Sequence, residues 1–212
     1  MNLMYEMKQN FDDLMSKSIY HGYWETINEN KGCLPDARKG ATMNMIGSSI
    51  YVFGGLSRET YNDIKIFELD HRKWKAVSYE GMKVPEARIH HSMVNFDNNL
   101  ALFGGGGAYM SKLKMRSSYN DIWVFDTRQL RWIKREGSGI PPKKRMSHAF
   151  SIAGSLMMIH GGMNTEAKIV LDDFNLYDLE LNHWLKVKVM LNGNVIESDA
   201  KYGTGECYDE EL

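Results

Sequence analysis

Little in this sequence asks for a membrane, a disulfide framework or a polyanion. Two of the 212 residues are cysteine, Cys33 and Cys207, and they form no CxxC pair. That excludes a disulfide scaffold and a thiolate metal site. The formal net charge is −1, from 26 basic and 27 acidic residues, so no bulk field draws the chain to nucleic acid or to anionic lipid. No apolar run approaches the roughly 18 residues needed to cross a bilayer. Glu6, Lys8, Asp12 and Asp13 interrupt the N-terminus and leave no apolar core for a secretory signal. The scarcity of cysteine sets a cytoplasmic, reducing compartment as the expectation. Hydrophobic residues make up 43% and charged residues 25%, proportions that exclude wholesale disorder.

What is present repeats. Three 14-residue segments align without a gap: YNDIKIFELDHRKW (61–74), YNDIWVFDTRQLRW (119–132) and LDDFNLYDLELNHW (171–184). Each has Asp third (Asp63, Asp121, Asp173), an aromatic four residues later (Phe67, Phe125, Tyr177) and a final Trp (Trp74, Trp132, Trp184). Upstream of each, an apolar run closes on a glycine pair: IYVFGG (50–55), LALFGG (100–105) and MMIHGG (157–162). Arg38, Arg88 and Arg145 each precede the first glycine of their pair by 16 residues. Two fixed spacings repeated three times define a unit of about 50 to 58 residues. Inside a unit the apolar residues alternate or run on, rich in β-branched and aromatic types, which reads as strand. Turn signals at 46–49, 97–99 and 153–155 separate the strands. The four prolines, Pro35, Pro85, Pro141 and Pro142, fall between units, where a missing N–H costs no ladder bond. Each unit is therefore expected to fold as four antiparallel strands, a to d. Strand a follows the Arg, b ends in Gly-Gly, c starts at the Asp and d carries the Trp.

These residues resemble the kelch repeat, in the Arg-led start with its His three residues on, the Gly-Gly after strand b, the Tyr-Asn-Asp before strand c and the aromatic-to-Trp spacing. The likeness covers residues 35 to 192. It implies an all-β fold: a kelch-type β-propeller segment in which each repeat is one blade. Three complete four-stranded antiparallel blades are expected, at about 35–78, 85–136 and 141–190, within a propeller segment spanning 21–212. Partial blades are expected at both ends. Trp24 stands 14 residues before Arg38, as Trp74 does before Arg88, so 24–27 reads as strand d of an earlier blade. Residues 193–212 read as the start of a fourth blade, with Lys201 in the arginine column and its glycine pair due at 217. Three blades and two fragments make an incomplete ring, so the expectation is a homo-oligomer, capping by another chain, or a piece of a longer product. Residues 1–20 form a separate N-terminal segment. Leu3, Met7, Phe11 and Leu14 mark one helical face, while Asp13, 11 residues before Trp24, favours a degenerate strand c.

Candidate functional residues follow from the columns and from one long loop. Arg38, Arg88, Arg145 and Lys201 are expected around one channel mouth, either as a basic ring that grips carboxylates or phosphates or as anchors of their own blades. The b–c connection of blade two, 106–118, is eight residues longer than that of blade one and carries Tyr109, Lys112, Lys114 and Arg116 with no acid. Long loops on rigid scaffolds commonly carry function. Arg58 lies in the matching loop of blade one. The glycine run 104–107 is not a phosphate loop: no Gly-Lys-Ser/Thr follows it, and it closes a strand without opening a helix. His91 and His148 each stand three residues after the column Arg and read as repeat residues, as do the three Asp residues, taken here as caps of strand c.

No metal spacing, catalytic triad or carboxylate pair stands outside the repeat. The resemblance therefore implies a protein-interaction module or scaffold that needs no cofactor or metal and is not an enzyme. It would bind a protein partner, specifically an acidic or phosphorylated segment, through loops at one mouth. The alternatives are an enzyme with a channel-mouth site, the substrate-recognition part of a ubiquitin ligase, and a cytoskeletal or ciliary scaffold.

Overall fold

The computed structural model describes residues 32–187, 189–191 and 194–196. The proposed N-terminal segment and strand at 24–27, Lys201, and most of the fourth-blade start lie outside the described residues. Three four-stranded antiparallel sheets follow one another along the chain. Blade one is β1 (Thr42–Ile46), β2 (Ser49–Phe53), β3 (Ile64–Glu68) and β4 (Lys73–Ala76). Blade two is β5 (Ser92–Phe96), β6 (Asn99–Phe103), β9 (Ile122–Asp126) and β10 (Arg131–Arg135), with an inserted hairpin of β7 (Gly106–Met110) and β8 (Met115–Ser118). Blade three is β11 (Ala149–Ala153), β12 (Leu156–Asn164), β13 (Ile169–Asp178) and β14 (His183–Leu185). A short hairpin of β15 (Val189–Leu191) and β16 (Asn194–Ile196) comes after it. No described residue is helical.

Local chemistry explains the elements. The a–b turn of blade two puts Asp97 and Asn98 at φ 45° and 60°, the two positive values a type I′ hairpin requires and short polar side chains tolerate. At the far end of each c–d turn, Arg72, Leu130 and Asn182 share a left-handed φ of 49–55°. In blades two and three, Asp126 and Asp178 satisfy the turn by accepting two backbone N–H bonds each.

The core lies between blades, because a sheet with two apolar faces must bury both. Strand alternation divides each blade between two neighbours. Leu100, Leu102, Trp123 and Phe125 of blade two meet Tyr51, Phe53, Ile64 and Ile66 of blade one. The intervening Ala101, Phe103, Ile122 and Val124 meet Met157, Ile159 and Tyr177 of blade three. The Trp of strand d points toward the preceding blade. Trp132 packs on Phe53, ring centroids 4.9 Å apart, and Trp184 on Phe103 at 5.8 Å. Trp184 therefore needs no cover from a later blade, while Trp74, in the first described blade, is only half-buried.

Candidate functional site

The arginine column is internal. Arg88 and Arg145 are fully buried, at 0% exposure. In each blade the Nε donates to the carbonyl two residues upstream, Asp36, Glu86 or Lys143. Nη1 donates to the first glycine of the pair, Gly54, Gly104 or Gly161, at 3.1, 2.8 and 3.0 Å. The fork then clasps the strand-c carboxylate, Arg38 on Asp63, Arg88 on Asp121 and Arg145 on Asp173, with Nη1–Oδ1 distances of 2.6–2.7 Å. This is the bidentate geometry that favours Arg over Lys. The 16-residue step from Arg to Gly is the length of chain this side chain ties down. Burial opposes ionisation of Asp121, and the Arg88 fork with the Trp123 indole overcomes it, holding the carboxyl below its usual range. Asp173 is held low in the same way by Arg145 and Asn175. These Asp residues thus receive guanidinium groups, a role beyond the capping of backbone N–H groups that the sequence suggests.

The same arginines stitch blade to blade through their backbones. Arg88 N–H donates to Tyr61 O and its carbonyl accepts from Gly55 N–H, at 3.0 and 2.9 Å. Arg145 repeats this with Tyr119 and Gly105. With every fork atom committed, Arg38, Arg88 and Arg145 offer no free cation at the surface, and the expectation of a partner-gripping ring from this column is corrected accordingly. His91 and His148 are inter-blade residues too. Each sits edge-on to the Phe ending strand b of the preceding blade, Phe53 or Phe103, at 5.1 Å. His91 also shares a 2.8 Å hydrogen bond with Thr42. Burial, with nearby cations, pushes His91 down to about 3 and His148 to about 4, so both rings are neutral. Both ring nitrogens of His148 are buried without a partner.

The accessible chemistry lies on the b–c connections, which all emerge at the end of the blades where strand a starts. The long connection of blade two is an ordered hairpin, β7–β8, with an irregular register between Gly106 and Tyr109. Gly107 has no room for a side chain: a Cβ there would stand 2.4 Å from Ser117 Oγ. In blade three, β12 and β13 run past the glycine pair as a second hairpin with a bulge at 160–162, an extension the repeat spacing does not reveal. The two hairpins are strapped together. Thr165 Oγ1 donates to Arg116 O at 2.6 Å, Ser118 Oγ meets Thr165 Oγ1 at 2.8 Å, and Ser118 N–H donates to Glu166 at 3.2 Å. Arg116 Nη1 reaches back to Thr60 of blade one. The structure thus brings Tyr109, Lys112, Lys114 and Arg116 together on one hairpin, beside the exposed Arg58 of the neighbouring loop. Tyr109 and Leu113 are 54% and 60% exposed at the tip. Sequence inspection missed Thr60, Thr165 and Glu166, because straps between loops of different blades leave no periodic signal. Among the described residues, no group of three or more His, Cys, Asp or Glu side chains is placed to hold a metal ion.

Known proteins resemble this chain in sequence. The chain is 29% identical over 160 residues to the Rab9 effector protein with kelch motifs of Rattus norvegicus, covering 73% of this chain and 41% of that protein. It is 29% identical over 157 residues to the flagellar outer arm dynein alpha chain of Chlamydomonas reinhardtii, covering 69% of this chain and 3% of the relative. Kelch domain-containing protein 3 of Rattus norvegicus matches at 28% over 145 residues, covering 63% and 36% respectively. The chain thus spans about two fifths or less of the length of these relatives. The model of the KLHDC2/KLHL20/DRC7 kelch-repeats domain matches residues 5–200, the stretch that holds every Arg–Asp–Gly clasp described above, and the chain belongs to that kelch-repeat family.

Proposed function

We propose that this chain is a non-enzymatic protein-interaction module that binds its partner through the b–c connections at one mouth of the propeller segment. The observation that carries the reading is the β7–β8 hairpin. It is ordered by its straps to both neighbouring blades, yet presents Tyr109 and Leu113 to solvent with Lys112 and Lys114 around them. Exposed apolar side chains on a preorganised loop cost little entropy to bind, and tyrosine is over-represented among residues that dominate interfaces. Arg58 widens the surface onto blade one. The docking segment that suits this rim is acidic or phosphorylated, with apolar residues for Tyr109 and Leu113. Relatives named as a Rab9 effector and as a chain of flagellar outer arm dynein support a role in assembly, and the second supports a cytoskeletal or ciliary setting.

A photo-crosslinking residue at position 113 tests the mouth against one at position 129, in the c–d turn at the other end of blade two. Discrete crosslinked partners are expected from 113 alone, and Tyr109→Ala with a nearby crosslinker should abolish them. Equal capture from both ends would refute the reading.

A further inference from the structure

Arg116 differs from the column arginines in what its fork leaves open. Nη1 alone is engaged, donating to Gly107 O at 2.7 Å and to Thr60 Oγ1 at 3.4 Å. The irregular register of β7–β8 is what frees the Gly107 carbonyl to accept it. Among the described residues, Nε and Nη2 have no hydrogen-bond partner, and the side chain forms no ion pair. Its position is nonetheless fixed. The guanidinium carbon stands 5.9 Å from the Tyr109 ring centre, and the Arg116 carbonyl is tied to Thr165 of blade three. A guanidinium held at one corner with an open edge is preorganised for an oxyanion, which it can meet bidentately.

Two further groups belong to the same region: Gly106, at the start of the hairpin, exchanges backbone bonds with Ile89 beside His90, and Gly40, next to Lys39, accepts from His90 N–H. His90 holds a left-handed φ of 50° where blade one has Gly40 and blade three has Ser147. Its N–H donates to Gly40 O at 2.9 Å and its carbonyl accepts from Ser147 N–H at 3.0 Å, so it is pinned between the starts of the flanking blades. Its ring remains accessible. Burial foremost, and then the cations Arg116, from β8, and Lys39, from the start of blade one, hold the imidazole below its usual pKa. Lys39 is exposed, its backbone paired with Leu56.

We infer that Arg116, flanked by His90 and Lys39, is the oxyanion seat of this mouth and takes a carboxylate or phosphate group of the docking segment. The inference rests on the mouth being the partner surface, and it assigns the anion to Arg116 and not to the tip lysines. A bound anion compensates the two cations beside His90, so it raises the His90 pKa. By reciprocity, binding tightens as pH falls toward that pKa.

The test uses the whole chain and three probes: a fluorescent peptide rich in glutamate, its phosphoserine counterpart, and inorganic phosphate. Affinity is read by anisotropy and the His90 ring by NMR titration. Arg116→Gln should weaken both peptides about tenfold, and Arg116→Lys, which keeps charge but loses the fork, at least about threefold. Lys112→Gln with Lys114→Gln should weaken both peptides less than Arg116→Gln does, because the tip lysines add only solvated rim charge. The peptides should raise the His90 pKa by about half a unit or more in the native protein. This last readout needs no variant and is immune to any loss of hairpin order in Arg116→Gln. A greater gain for the phosphoserine peptide and a response to inorganic phosphate identify a phosphate seat, whereas equal peptide binding without that response identifies a carboxylate seat. Peptide affinity indifferent to Arg116, or a His90 resonance that no probe moves, overturns the inference. Crosslinking from position 113 would survive that outcome, so the seat and the interaction surface fail separately.

Discussion

Replacing Arg88 by Met keeps the apolar stem and removes the guanidinium. Four bonds are lost at once: to Glu86 O, to Gly104 O and to both oxygens of Asp121. The Asp121 carboxylate is left mostly buried, with the Trp123 indole as its remaining side-chain donor. Breaking one side of a buried ion pair typically costs about 3–5 kcal/mol, because the other charge is stranded. The backbone stitches of residue 88 to Tyr61 and Gly55 do not involve the side chain, so blades one and two should stay in register and the loss should fall at the lower end, about 3 kcal/mol. For a domain of this size that is a fall in Tm of about 6–12 °C. Urea denaturation followed by tryptophan fluorescence measures it. The double variant Arg88→Met/Asp121→Leu should recover about half of the loss, since no charge is then stranded. A cost below about 1 kcal/mol, the level of a solvated pair, would refute the internal clasp. So would an unchanged stability with lost peptide binding, because the guanidinium would then be working outward.

Three further outcomes are expected. Trp132→Ala and Trp184→Ala should each cost about 3–5 kcal/mol, and Trp74→Ala, which is half-buried, clearly less; a Trp74 effect as large as the others would place it in a closed core. Stability should fall as pH drops from about 6.5 toward 4, because burial lowers the pKa of His91 to about 3 and of His148 to about 4 in the fold, so both protonate first in the unfolded chain. Each costs about 3 kcal/mol of stability by pH 4.5, and His148→Phe should flatten its share of that slope in a pH-resolved denaturation series, whereas the Asp121 and Asp173 clasps weaken only at more acidic pH. Peroxide footprinting by mass spectrometry should oxidise Met43, 72% exposed, well before the repeat-equivalent Met93, 6% exposed, or Met157, fully buried; equal rates would contradict the burial of Met93 between blades one and two.

The repeat was legible because each blade solves the same packing problem with the same residues. Fixed steps from Arg to Gly-Gly and from Asp to Trp place strands b, c and d, and a period of two excludes helix, so residues alone determined the three blades and nearly all strand positions. What those columns do was decided in three dimensions. Sequence spacing relates Arg38, Arg88 and Arg145 to one another, but only the fold brings each guanidinium onto Asp63, Asp121 or Asp173 and so turns an apparent basic ring into three internal clasps. Spacing likewise identifies the tryptophans and is silent on direction. The pleat of strand d aims each at the preceding blade, and that buries Trp184 and leaves Trp74 half-covered. The 106–118 segment read as a long basic loop because its order comes from Thr60 and Thr165, far away in sequence. Contacts of that kind carry no local pattern, and it is they that separate the open fork of Arg116 from the three closed ones.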